Sequence, residues 1–324
     1  MAAMLRYRLI FGPIMIAALV GLVLLDEQLD RLDVQATFLR ALFPDRSHLP
    51  SGLILFALFL TLIALGSREL AAIFRAKQIP AQNGMCMVAG MIGCALAYVI
   101  PGTMSSQTAV ALFATVIVAV FLFALVKYSY RQQRVEGAVA FGAATLFALV
   151  YMGLLPGFYL VIRSDHSAWI IAAILLTTKS CDIGAYFTGR ALGRHKLIVW
   201  LSPGKTWEGL IGGVLFSALV ATGLAALLNH LGIAGHYESG VTGVLGDGSR
   251  TFVATPYPLT AAAVAGLLLG LFGQFGDLTA SLFKRDAGIK DSGSSIPGFG
   301  GLLDVVDSPL VVAPLAYWLL SLAR

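Results

Sequence analysis

Apolar residues fall into nine runs separated by short polar connections, near positions 8–25, 51–67, 84–101, 107–127, 137–162, 168–188, 209–228, 259–283 and 308–323. Each is long enough, or nearly so, for a helix that crosses a hydrocarbon core, which takes about 20 residues. The pattern predicts an all-α polytopic transmembrane bundle of about nine spans. Lys and Arg in the connections sharpen it, because short cytoplasmic loops collect positive charge. With a cytoplasmic N-terminus, Arg6, Arg8, Arg68, Arg75, Lys77, Lys127, Arg131, Arg134, Arg190, Arg194, Lys196, Lys205, Lys284, Arg285 and Lys290 all fall on the inner side. The opposite loops keep only Arg31, Arg40, Arg46, Arg163 and Arg250. Arg6 and Arg8 ahead of an apolar run would also suit a leader peptide, but no small-residue cleavage site follows Leu25, so an uncleaved first span is expected.

Composition agrees. Of 324 residues, 58% are hydrophobic and 12% charged, against about 25% charged in an ordinary soluble domain. The net charge of +5 is accounted for by a basic face beside anionic headgroups and calls for no nucleic-acid partner. Cys86, Cys94 and Cys181 lie in or beside apolar runs without paired spacing, as small packing residues do.

Charge divides the chain in two. Residues 1–165 hold five runs with almost no ionisable group inside them and read as a transmembrane scaffold, with Gly84, Gly90, Gly93, Gly137 and Gly142 serving close helix packing. Residues 166–324 place charges within apolar segments, where an unpaired charge is costly, and read as the catalytic region with loops facing the cytoplasm. Lys179 and Asp182, at i and i+3, are either a self-neutralising pair or ligands. His230, His236 and Glu238, in the polar connection 229–258, are read as solvated loop residues.

Three constellations carry chemistry. The connection 184–209 combines glycines with Arg190, Lys196, Ser202, Lys205 and Thr206, donors suited to a polyphosphate. Its Gly204-Lys205-Thr206 is not a P-loop, because Val199 replaces the required glycine and no preceding strand is expected. On a helix, Asp277, Ser281 and Lys284 share one face running from within the membrane to its surface. Asp304 and Asp307, at i and i+3 near the start of the last run, repel each other unless a cation lies between them; carboxylate oxygens favour Mg²⁺.

The order G-D-x(3)-S-x(2)-K-R-x(4)-K-D, then P-G-x-G-G-x(2)-D-x(2)-D, resembles the signature of phosphatidate cytidylyltransferases (CDP-diacylglycerol synthases), and G-A-Y-F-x-G-R…S-P-x-K-T-W-E-G resembles a second region of that family. Phe299 and Val305 stand where the family usually has His and Arg. The resemblance implies transfer of a cytidylyl group from CTP to phosphatidate, giving CDP-diacylglycerol and pyrophosphate in phospholipid biosynthesis. It implies catalytic roles for Asp277, Lys284, Arg285, Asp304 and Asp307, with Asp277, Asp304 and Asp307 holding Mg²⁺, and a second cation as the two-metal variant. Substrate contacts fall to Asp182, Arg190, Lys196, Ser202, Lys205, Thr206, Glu208, Ser281 and Lys290, and Asp291 orders the loop. The expected setting is the cell inner (cytoplasmic) membrane, multi-pass, with the lipid bilayer as partner. A homodimer is expected only because such assemblies are common. A CTP-dependent lipid or polyprenol kinase is the alternative enzyme, and a secondary transporter relaying charge through Lys179, Asp182 and Asp277 the alternative class.

Overall fold

The computed structural model describes residues 2–30, 32, 49–100, 105–238, 251–298 and 300–323. Every predicted span appears as a helix: α1 (Ala2–Asp30), α2 (Leu53–Ala76), α3 (Asn83–Val99), α4 (Ser106–Gln132), α5 (Ala138–Asp165), α6 (Ala168–Leu192), α7 (Trp207–His230), α8 (Leu259–Asp286) and α9 (Leu303–Leu322). Eight are long and apolar enough to cross a membrane, and α3 is a shorter apolar helix.

Two hairpins depart from an entirely helical reading. β1 (Lys196–Ile198) pairs antiparallel with β2 (Ser202–Thr206), and β3 (Gly235–Glu238) with β4 (Thr251–Ala254). The expectation that no strand precedes helix α7 is therefore corrected: β2 leads straight into it. The connection 193–206 is short, and pairing with itself satisfies backbone N–H and C=O groups that no helix serves.

Close helix contacts run through glycine. A Cβ on Gly153 would collide with the Gly90 carbonyl oxygen, in the six-residue π-turn Leu149–Leu154 that lets α5 press against α3. A Cβ on Gly276 would lie 2.8 Å from the Asp307 carbonyl oxygen. Without one, α8 and α9 approach closely at the level where Asp277 and Asp307 sit.

The N-terminal half is not free of buried charge. Arg163, expected in a connection, is fully buried near the end of α5. It donates from Nε to Asp26 at 2.6 Å, from Nη2 to Asp30 at 2.5 Å and from Nη1 to the His166 carbonyl at 3.1 Å. Glu27 in turn accepts the Ser167 hydroxyl and the Ala168 N–H, at 2.5 and 2.6 Å. A helix can bury these groups only because each meets a partner, and that partnership ties α1 to the start of α6.

Candidate functional site

Three C-terminal helices, α6, α8 and α9, and strand β2 converge on one polar constellation. Lys205 lies on β2 one residue before Thr206, whose hydroxyl caps α7 by accepting the Gly209 N–H at 3.1 Å. The cap fixes where the strand ends, and so where the lysine side chain enters the bundle. Its Nζ contacts Asp277 Oδ2 at 2.5 Å and donates to Gln274 Oε1 at 2.7 Å, both on α8. Gln274 passes the link on, its amide donating to Asp182 Oδ1 at 2.6 Å. Lys179 sits 3.7 Å from Asp182 and 3.8 Å from Asp307. The i, i+3 pair read from the sequence thus exists, but it belongs to a network spanning α6, α8 and α9.

Asp307 is 1% exposed and adjoins Asp277. Its Oδ1 accepts the Ser308 N–H at 2.6 Å, whereas its buried Oδ2 has no donor. A buried carboxylate oxygen without a partner, beside a second carboxylate, is an arrangement that a cation would satisfy.

Asp304 does something else. Its Oδ1 accepts from Lys284 at 2.6 Å, and its Oδ2 accepts the N–H groups of Ser292 and Gly301, both at 2.9 Å, and the Ser292 hydroxyl at 3.1 Å. The expected trio of metal carboxylates is therefore divided: Asp277 and Asp307 meet, while the oxygens of Asp304 are taken up by Lys284 of α8 and by Ser292 and Gly301 of the loop 287–302. Among the described residues no group of three or more His, Cys, Asp or Glu side chains forms a metal cage.

That loop is also held from the other half of the chain. Glu69 on α2 accepts the Ser295 hydroxyl and the Leu302 N–H through Oε1, at 2.6 and 2.9 Å, and the Ser292 hydroxyl and the Leu303 N–H through Oε2, at 2.9 and 2.8 Å. Leu302, at the cap position of α9, has no capping side chain of its own; Glu69 supplies the acceptor. Gly300 has φ +94°, and a Cβ on Gly301 would meet Ser292 Oγ and Glu69 Oε2. Both glycines of this turn are thereby required.

The remaining expected residues scatter around this centre. Arg190 lines a cavity of about 470 Å³ together with Asp182, Tyr186, Lys205, Thr206 and Gln274, and donates to the Tyr186 hydroxyl at 3.2 Å. Ser202 is half-buried and Lys196 exposed, both on the β1–β2 hairpin. Glu208 accepts the His195 backbone N–H at 3.2 Å and contacts its ring at 2.6 Å, closing the hairpin. Ser281 is half-buried one turn beyond Asp277, and Arg285 is exposed at the end of α8. Lys290 and Asp291 are exposed on the loop, and the ordering contacts expected of Asp291 are made by its neighbour Ser292. Phe299 lies outside the described residues. His236 pairs in register with Val253 in the second hairpin.

Sequence reasoning missed Glu69 and Gln274. Glu69 was legible only as an acid directly behind an apolar run, and Gln274 is uncharged and gave no signal.

A family model described as the cytidylyltransferase family matches residues 34–323. A phosphatidate cytidylyltransferase of Bacillus subtilis is 32% identical over 270 residues, 80% of this chain and 87% of that protein. One from Haemophilus influenzae is 38% identical over 150 residues, 46% of this chain and 44% of the relative. The uncharacterized protein YnbB of Escherichia coli is 36% identical over 177 residues, 54% and 49% of the two chains. With the family match running from ahead of α2 through α9, and so over every element of the site, the chain belongs to the cytidylyltransferase family.

Proposed function

We propose that this protein is a nucleotidyltransferase that moves the cytidylyl group of CTP onto phosphatidate, releasing pyrophosphate and leaving CDP-diacylglycerol. The observation that carries the reading is the constellation of Lys179, Lys205, Asp277 and Asp307 inside a bundle of membrane-length helices, beside a cavity large enough for a nucleotide. Family membership and the names of the relatives support it.

In the reaction an oxygen of the lipid phosphate forms a bond to the α-phosphorus of CTP, and the bond from that phosphorus to the α–β bridging oxygen breaks. The electron pair leaves on pyrophosphate. A phosphate monoester is already anionic at neutral pH, so no strong base is needed, which removes one demand that the usual family His at position 299 would meet. What the protein must supply is the pairing of two mutually repelling anions and donors for the charge that develops on the leaving group. Lys205 is placed for this work at the junction of hairpin and bundle, with Arg190 across the cavity and Lys179 below. Lys284, Arg285 and Lys290 form the basic approach along α8 and its loop, Lys196, Ser202 and Thr206 that along the hairpin, and Ser281 offers a hydroxyl. Gln274 holds Lys205 and Asp182 in one plane of contact. Glu208 and Asp291 act on the shape of the loops.

The donor chemistry at Asp277 and Asp307 fits Mg²⁺, which would supply charge neutralisation for the phosphates; Asp304, already saturated, would hold the loop instead. Orientation follows from the Lys and Arg distribution: a cytoplasmic N-terminus and the site at the inner face of the bacterial inner membrane; a homodimer is the assembly expected from its frequency among membrane enzymes alone.

The test uses purified protein, phosphatidate in mixed micelles, Mg²⁺ and CTP labelled in either the α- or the γ-phosphate. Transfer of α-label to lipid with release of γ-label as pyrophosphate is expected, and should be lost in Asp307→Asn. Transfer of γ-label to lipid, with CDP as product, would sink the reading.

A further inference from the structure

A second cavity, of about 550 Å³, opens at the same end of the bundle as the candidate site. Arg75 contributes to it from the last turn of α2, and two residues on, Lys77 contacts Asp286, the final residue of α8, at 2.8 Å. No residue lines both this cavity and the one beside Lys205.

Four cations converge here: Arg75, Lys127, Arg131 and Arg134. Lys127 and Arg131, at i and i+4, share one face of α4, and Arg134 follows in the turn after Gln133, whose left-handed backbone ends the helix. Arg75 is fixed opposite them, donating to the Ala81 carbonyl at 3.2 Å and to Asn83 Oδ1 at 2.7 Å. No carboxylate lines the cavity, and among the described residues none pairs with Lys127, Arg131 or Arg134. Lys127 is half-buried and Arg75, Arg131 and Arg134 are exposed, yet all four line one concavity, where their mutual repulsion calls for an anion. Tyr128 and Phe141 also line it, their ring centroids 5.0 Å apart.

The ligand's second half is indicated by α4 itself. Of its 27 residues only Ala124 and Tyr128 are buried, and Val110, Val118, Leu122, Phe123 and Val126 are more than half exposed. From Val110 to Val126 this exposed apolar stretch runs about 24 Å at 1.5 Å per residue, more than the roughly 15 Å of one hydrocarbon leaflet. A cationic cavity at the head of an uncovered apolar helix face matches an amphiphile with an anionic phosphate head. We propose that the cavity bounded by Arg75, Lys127, Arg131 and Arg134 is a binding site for the headgroup of an anionic phospholipid, separate from the reaction centre, with the acyl chains lying along α4.

The proposal does not depend on the reaction assigned above and is tested by binding. Purified full-length protein in mixed micelles is titrated with phosphatidylglycerol and, separately, with zwitterionic phosphatidylcholine, and retained lipid is measured by native mass spectrometry. Preference for phosphatidylglycerol is expected, with a fall of roughly 30-fold in Arg131→Gln/Arg134→Gln, the equivalent of two surface cations. Arg131→Lys/Arg134→Lys should retain most of it, which separates lost charge from lost fold. The charge-matched control Arg68→Gln/Lys77→Gln, outside the cavity, should bind as the unaltered protein does. Equal loss in that control would reduce the effect to general surface attraction, and displacement of the lipid by inorganic phosphate would make this a soluble-anion site; either result overturns the proposal, as does an unchanged preference in the Gln pair.

Discussion

Glu69 Oε2 accepts the Ser292 hydroxyl at 2.9 Å across 223 residues of chain, and the same hydroxyl lies 3.1 Å from Asp304 Oδ2. One serine thus joins a carboxylate of the N-terminal half to one of the signature loop. Glu69→Gln tests what this junction does. Glu69 faces four donors with four acceptor lone pairs; glutamine keeps the size, but its NH₂ group confronts donors and leaves at least two of them unsatisfied, at about 1–3 kcal/mol each. The expected result is a fall in kcat of roughly 10- to 100-fold with KM for CTP changed much less, because the loop is displaced while the nucleotide cavity is not. A KM effect alone would mean that Glu69 acts elsewhere.

Asp304→Asn and Asp307→Asn should behave differently although both remove one charge from the same helix. Asn at 307 should raise the Mg²⁺ concentration needed for half-maximal rate and abolish any rise in melting temperature on adding Mg²⁺. Asn at 304 should lower the melting temperature, since Lys284 and the loop donors lose their acceptor, and leave the Mg²⁺ requirement near that of the unaltered protein. The two readouts together separate metal holding from loop holding.

Lys205→Met leaves Asp277 without its 2.5 Å partner and withdraws a cation from the reacting phosphates. A loss of about 10²- to 10³-fold in kcat is expected, the usual scale for removing one electrostatic donor. Lys205→Arg should recover part of it. Equal loss in both would indicate that the ammonium's compact shape matters as much as its charge.

Arg163 predicts stability rather than catalysis. Arg163→Met strands Asp26 and Asp30 in the interior, and breaking such a buried pair costs about 3–5 kcal/mol. Thermal unfolding in detergent should occur at clearly lower temperature, with the reaction rate per folded molecule unaltered. Combining it with Asp26→Leu should restore part of the loss, because the stranded charge is then removed as well.

Hydropathy alone located every span, since crossing a hydrocarbon core is a property of one segment at a time: enough apolar residues in a row must become a helix there. The run ending near 67 shows the limit. The helix continues to Ala76 through Arg68 and Glu69, because Glu69 is satisfied by hydrogen-bond donors that no local pattern reveals. Spacing likewise put Asp304 and Asp307 near the start of the last helix, and α9 does begin at Leu303. That they serve different neighbours was not legible, since a step of three residues still turns the second carboxylate away from the loop and toward α6 and α8. Arg163 was read as a loop cation for the same reason: a buried charge and an exposed one are the same letter. Sequence by itself determined the membrane bundle, the polar C-terminal half and the residues with charge to offer. Tertiary structure decided the partnerships, Lys205 with Asp277, Asp307 beside Asp277 with one of its own oxygens unpaired, and Glu69 with the turn of Gly300 and Gly301, because each depends on which helix faces meet after the chain has folded.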